Sequence, residues 1–148
     1  RSLQDLGQAY LVAPDREKSA TSLALTLRDP LRVRRAGPRA FAVEGTPADC
    51  IYLAIEKLLP RRPDLVVSGI NHGPNLGRQD VSYSGTVAGA VQATYFGIPS
   101  LAVSALPGSR GGYSFDLAAD ISRQLAARLL AGPLLKGITL NLNVPPPP

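Results

Sequence analysis

The chain carries no tryptophan and no methionine, one cysteine and one histidine, and only 5% of its 148 residues are aromatic. Each scarcity removes a class of protein. Cys50, alone and set in an apolar run, cannot found a disulfide framework; it fits a reducing cytoplasm and a place in the core. A Ser–His–Asp arrangement would have to use His72, which stands in a glycine loop where contact with a substrate or a turn is the simpler reading. Gly69-Ile70-Asn71-His72-Gly73 has the glycine spacing of a nucleophile elbow, but Asn occupies the serine position. Covalent hydrolysis through Ser or Cys is therefore disfavoured. Neither G-x-x-x-x-G-K-[ST] nor G-x-G-x-x-G occurs, so P-loop and dinucleotide readings have no support. No apolar run approaches membrane-spanning length and no basic, then apolar, leader opens the chain. Zinc-finger spacing and an aromatic-rich basic stripe are both missing, so no stable nucleic-acid partner is expected.

What is present is the material of one domain: a length that can bury one sizeable core, rich in aliphatic and small residues. The formal net charge is +5, with Arg28, Arg32, Arg34, Arg35 and Arg39 clustered. Such a patch can steer a nucleotide or polyphosphate. The preferred reading is an edge strand kept from further pairing by its charge.

Ala9–Ala13 reads as a short buried strand ended by Pro14, and Leu31–Arg35 with Ala40–Glu44 as β segments around Gly37–Pro38. Thr46 is a helix N-cap, with Pro47 in the first turn and Asp49 completing a capping box, ahead of an apolar face that runs to Leu59. Leu65–Ser68 is apolar without alternation, as in a parallel strand covered on both faces. Thr86–Phe96 predicts a small-residue helix closed by Gly97, Ser100–Ser104 a buried strand, and Phe115–Leu130 a helix capped by Ser114 and stopped by Gly132–Pro133. Ile138–Val144 is a last strand, and Arg1–Leu6 resembles the tail of a helix. Strands alternating with helices predict a Rossmann-like layered α/β fold, with a largely parallel sheet and helices on both faces. Ligands of such sheets bind beyond the carboxyl ends of the strands.

Two polar glycine loops fall at such places. In Val66–Gly77 (VVSGINHGPNLG) a buried strand empties into a loop of little bulk. Asn71 there could offer its amide oxygen to a hard metal ion, donate its NH2 to phosphate, or satisfy its own turn. Ser84-Gly85-Thr86 opens an apolar helix, where first-turn N–H groups and two hydroxyls suit an anion; plain N-capping by Ser84 is the equal alternative. Asp15-Arg16-Glu17-Lys18-Ser19 reads by itself as a solvent-facing loop, and the Ser19 hydroxyl is a weak metal ligand without carboxylates beside it.

Taken together, VAPDREKSATS (Val12–Ser22), VEGTPADC (Val43–Cys50), PDLVVSGINHGPNLG (Pro63–Gly77), YSGTVAGA (Tyr83–Ala90), GIPSLAVS (Gly97–Ser104) and LNLNVP (Leu140–Pro145) resemble the SurE family of stationary-phase survival nucleotidases. They run in family order over nearly the whole chain. The resemblance implies a metal-dependent phosphomonoesterase of the cytoplasm, a 5′-nucleotidase with 3′-monophosphates and short polyphosphate as further substrates. It implies a homodimer or homotetramer. It places metal at Ser19 and Asn71, phosphate at Asn71, Ser84, Gly85 and Thr86, and catalysis at Asn71 and Ser84. The cation would be Mg²⁺ or Mn²⁺, since an oxygen shell does not suit zinc. The family's consecutive acidic pair has no counterpart in these residues and is expected upstream of Arg1. Residues 1–148 are thus expected to form a single nucleotidase domain, incomplete at both ends, without the family's first strand and C-terminal extension. The rival expectation is a nucleotide- or phosphate-binding module without hydrolysis.

Overall fold

The computed structural model describes residues 2–109, 111–113, 115–132 and 137–146. The expected caps at Ser114 and Pro133 lie outside them, as does Arg1. A 3₁₀ turn at Gln4–Leu6 stands where a helix tail is expected. Strand β1 (Leu11–Pro14) pairs in parallel with β3 (Ala40–Val43), which pairs antiparallel with β2 (Val33–Gly37). Pro38-Arg39 turns this hairpin, one residue on from the expected Gly37–Pro38. Strands β4 (Val66–His72), β5 (Ser100–Ala105) and β6 (Thr139–Val144) form a second sheet, parallel throughout, with Leu101 opposite both Val67 and Leu140. The mixed α/β class is as expected. The described strands are ordered β1-β3-β2 and β4-β5-β6.

Strands β1 and β4 line the two sides of one cleft. Each is the edge of its sheet, and they do not pair with one another. A cleft of about 550 Å³ separates them. Tyr10–Pro14 line one side, Leu65–Gly69 the other, and Cys50, Ile51 and Ala126 fill in from the flanking helices.

Helix α1 (Pro47–Leu53) starts as read: Thr46 Oγ1 accepts from Asp49 N–H at 3.0 Å and Asp49 Oδ2 accepts from Thr46 N–H at 2.9 Å. It continues as a π-helical turn over Ala54–Leu58. Cys50 is 1% exposed, and burial, with the Asp49 and Asp15 carboxylates, pushes its thiol up to about 12. That keeps it a core residue rather than a nucleophile. Arg78–Tyr83 forms a short helix, α2, which no periodicity announced. Helix α3 (Gly85–Tyr95) follows at once.

The second sheet holds the core. All of β5 is buried. On one face Leu101, Val103 and Ala105 pack with Ala118 of helix α4 (Phe115–Ala131). On the other, Ala102 meets Val87 and Ala90 of α3. Small residues let α3 approach closely: a Cβ on Gly89 would stand 2.9 Å from Ser68 Oγ. Among the described residues no helix is long and apolar enough to cross a membrane.

Candidate functional site

The site begins with one extra residue in β4. Ser68 lies opposite Ala102 and Asn71 opposite Ser104, so three steps along β4 match two along β5. This is a β-bulge. Regular alternation would put Asn71 on the same face as Val67, the α4 face. The bulge turns Ile70 to the α4 face, where it joins the Leu101–Val103 core, and brings Asn71 round to α3. Glycine is required at the distortion. Gly69 has φ +131°, and a Cβ there would run into the Val103 carbonyl oxygen.

Asn71 thus lies in the strand and not in the loop that the sequence suggested. Its amide NH2 donates to the Gly73 carbonyl at 2.9 Å and to the His72 carbonyl at 3.2 Å. This is the turn-satisfying role, and it fixes the amide orientation. Oδ1 is left pointing at the start of α3, where Thr86 Oγ1 approaches to 3.4 Å. Of the open alternatives for Asn71, donation to phosphate is disfavoured because both amide hydrogens are engaged. An outward oxygen is what the geometry offers.

Helix α3 supplies the opposite wall. Ser84 Oγ accepts from Val87 N–H at 3.1 Å, so it is a true N-cap. Its φ −65°, ψ 121° turn the chain sharply out of α2, whose Asp80 carbonyl accepts from Ser84 N–H. Gly85 and Thr86 then present first-turn N–H groups that the helix's own carbonyls cannot reach. Gly85 is buried, with the Lys18 carbonyl 3.2 Å and Pro47 Cγ 2.9 Å from where a Cβ would be.

That contact brings in the Asp15–Ser22 loop. Ser22 ties it to the α2–α3 junction through N–H to the Tyr83 carbonyl at 3.1 Å and Oγ to the Ser82 carbonyl at 2.8 Å. Ala20 (φ 56°) and Ser22 (φ 50°) are held in left-handed backbone to do so. Ser19 is exposed at the tip and donates to Glu17 Oε1 at 2.7 Å. The structure therefore brings Asn71 and Thr86 into contact, places Ser84 and Gly85 in the adjoining turn, and carries Ser19 on the loop docked there, without a direct contact between Ser19 and Asn71.

A second asparagine holds the loop and was missed in the sequence. Asn75, 5% exposed, donates from Nδ2 to Ser104 Oγ at 2.7 Å. Its N–H donates to Asn143 Oδ1 at 2.8 Å, and its carbonyl accepts from Asn141 Nδ2 at 2.8 Å. The available signal was the alternation Asn141-Leu142-Asn143 in an otherwise apolar strand, which marks a polar stripe under something buried.

As a metal shell these residues are half a set. Asn71 Oδ1 and the Ser19 hydroxyl are neutral oxygens that suit a hard cation. Among the described residues no group of three or more His, Cys, Asp or Glu side chains gathers to hold one.

The whole chain, residues 1–148, matches the family model described as survival protein SurE. The chain belongs to the SurE family. A curated protein named 5′-nucleotidase SurE from Pelobacter propionicus is 52% identical over 97% of this chain and 58% of its own length. Its namesake from Coxiella burnetii is 48% identical over 98% of this chain and 55% of its own length. The crystal structure of the SurE protein from Aquifex aeolicus superposes with a TM-score of 0.90 at 40% identity, over 97% of this chain and 58% of that one. The chain thus spans somewhat more than half the length of these SurE relatives.

Proposed function

We propose that the chain carries part of the active site of a metal-dependent phosphomonoesterase acting on nucleoside 5′-monophosphates. The observation that carries this is the bulge in β4, which turns the Asn71 oxygen onto the first turn of α3 beside Thr86. Membership of a family whose curated relatives are named 5′-nucleotidase supports it.

In this reading Asn71 Oδ1 and Ser19 Oγ would hold the cation, Mg²⁺ or Mn²⁺, with carboxylates from the acidic pair that family resemblance places before Arg1. A bound divalent cation supplies Lewis acidity to the phosphoryl oxygens and to water. The chain's own residues orient the ester. N–H groups of Gly85 and Thr86 hold the phosphate oxygens at the positive end of α3 and stabilise charge that develops as water attacks in line. Thr86 Oγ1, now leaning on Asn71, is free to turn toward phosphate. Ser84 fixes the turn by accepting from Val87 N–H, and its O–H remains to donate to a phosphate oxygen. Substrate range extending to 3′-monophosphates and short polyphosphate, a homodimeric or homotetrameric assembly and a cytoplasmic location belong to the same proposal.

Hydrolysis of nucleoside monophosphates by the enzyme carrying this chain, with added Mg²⁺ or Mn²⁺, is the test. Full activity after exhaustive chelation would refute the metal. Saturable nucleotide binding without any hydrolysis would instead favour a binding module.

A further inference from the structure

We propose that Tyr113, backed by Phe115 and flanked by His72, is the stacking surface for the nucleobase of the substrate; this rests on the nucleotidase reading above. The same bulge that sends Asn71 to the α3 face sends His72 to the α4 face. There its ring lies 4.8 Å from Tyr113 and 4.9 Å from Phe115, tilted by 54° and 60°. Tyr113 and Phe115 are within 16° of parallel, with centroids 5.7 Å apart. Three of the few ring side chains in this chain meet at one point on the rim of the sheet.

Their environments differ in a way that suits a platform. Phe115 packs on the buried core around Leu101 and Val103, which fixes it. Tyr113 is 37% exposed and His72 is exposed, so the outer surface of the group is open. Tyr113 is held by a β-bridge to Pro107 across a tight loop in which Gly108 N–H donates to the Gly112 carbonyl at 2.7 Å. Asn71 and His72 are successive residues at the carboxyl end of β4, so the phosphate pocket and the ring cluster flank one rim. A nucleotide whose phosphate sits at α3 and whose ribose crosses that rim delivers its base to Tyr113. Stacking tolerates any base, because each has a π face. The surface therefore favours nucleotides over other phosphate esters without choosing among bases.

The experiment compares kcat/KM for nucleoside monophosphates with kcat/KM for the base-free ester ribose 5-phosphate. Tyr113→Ala should lower that ratio about tenfold, mainly through KM for the nucleotide, and Tyr113→Phe should restore it. An unchanged ratio, with both substrates affected equally or not at all, overturns the proposal. A second readout does not need turnover. With no tryptophan in the chain, tyrosine emission can be followed directly. Adenosine should quench it saturably, and the amplitude should fall in folded Tyr113→Leu; quenching that is absent or indifferent to Tyr113 also overturns the proposal. If no phosphate ester is hydrolysed, the nucleotidase reading fails, and the quenching assay alone then decides the stacking surface.

Discussion

The two sheets solve the same problem with opposite means. In the β4-β5-β6 sheet, β5 is buried from end to end and small residues bring α3 against it. Its polar side chains Ser104, Asn141 and Asn143 are hydrogen-bonded to Asn75 of the loop above. In the β1-β3-β2 sheet, β2 is exposed over Val33–Ala36, and its arginines are solvated. Arg35 lies over the Phe41 ring at 5.7 Å and Arg32 reaches Glu44 at 3.9 Å, both at the surface. Precision is concentrated in one sheet and tolerance in the other. The candidate site sits on the first and borrows only a loop from the second. Substitutions should therefore separate by sheet, in kind as well as in size.

The largest effect is expected at Asn71. Asn71→Ala should lower metal-saturated turnover of the enzyme by about a hundredfold or more, as loss of a preorganised polar group does. Because its amide donates to the His72 and Gly73 carbonyls, stability should also fall, by about 1 kcal/mol. Paired measurements of turnover and thermal melting check this. Per-molecule turnover that survives the substitution would make Asn71 a loop staple and nothing more.

Next comes the buried carboxylate in the first turn of α1. Asp49 is 2% exposed and accepts from Thr26 N–H at 2.9 Å, Thr26 Oγ1 at 2.8 Å and Thr46 N–H at 2.9 Å. Asp49→Ala strips an acceptor from all of these and should cost about 2 kcal/mol in urea unfolding. The same carboxylate makes a pH prediction. Burial alone would raise its pKa, but the hydrogen bonds from Thr26 and Thr46 outweigh burial and hold it below the usual carboxylate range. A depressed folded pKa gives stability that is present above the unfolded value and is lost as pH falls through the folded one. Unfolding measured on the acid side should show this loss in the native protein and a smaller one in Asp49→Asn.

How much of this was legible beforehand follows the range of the interactions. The Thr46–Asp49 capping box is local, and it formed as read. The β2–β3 hairpin and the small-residue helix α3 are local too, and only their ends moved. The bulge at Gly69 was not legible, because it exists only in register against β5. Asn71 was placed in a loop for that reason. Asn75 went unremarked because its partners lie on β5 and β6. The His72–Tyr113–Phe115 cluster joins residues that only the parallel crossover brings together.

Ser84 should show a smaller effect of mixed kind. It caps α3 and its hydroxyl accepts from Val87 N–H at 3.1 Å. Ser84→Ala should cost about 1 kcal/mol in stability. Turnover should fall less than in Asn71→Ala, because the backbone N–H groups remain once the helix forms. Ser84→Asp would restore the cap by melting and yet weaken phosphate binding, since it sets a carboxylate where the anion must lie. A variant that recovers both stability and KM would contradict the phosphate pocket.

The smallest effect tests the tolerant sheet. Arg34 sits mid-strand in β2, paired only by backbone to Ala42, with β2 at the outer edge of its sheet. Arg34→Gln should shift stability by no more than about 0.5 kcal/mol, as for other surface changes. Turnover should not move, because the residue belongs to neither the pocket nor its loops. The charge matters for a different property: an edge strand without it offers unpaired N–H and C=O groups to a second chain. Arg34→Val should therefore leave urea unfolding of dilute protein nearly unchanged and increase concentration-dependent association, read by light scattering. A large loss of stability in either variant would show that the β1-β3-β2 sheet is as tightly specified as its neighbour, and the division of labour between the sheets would fail.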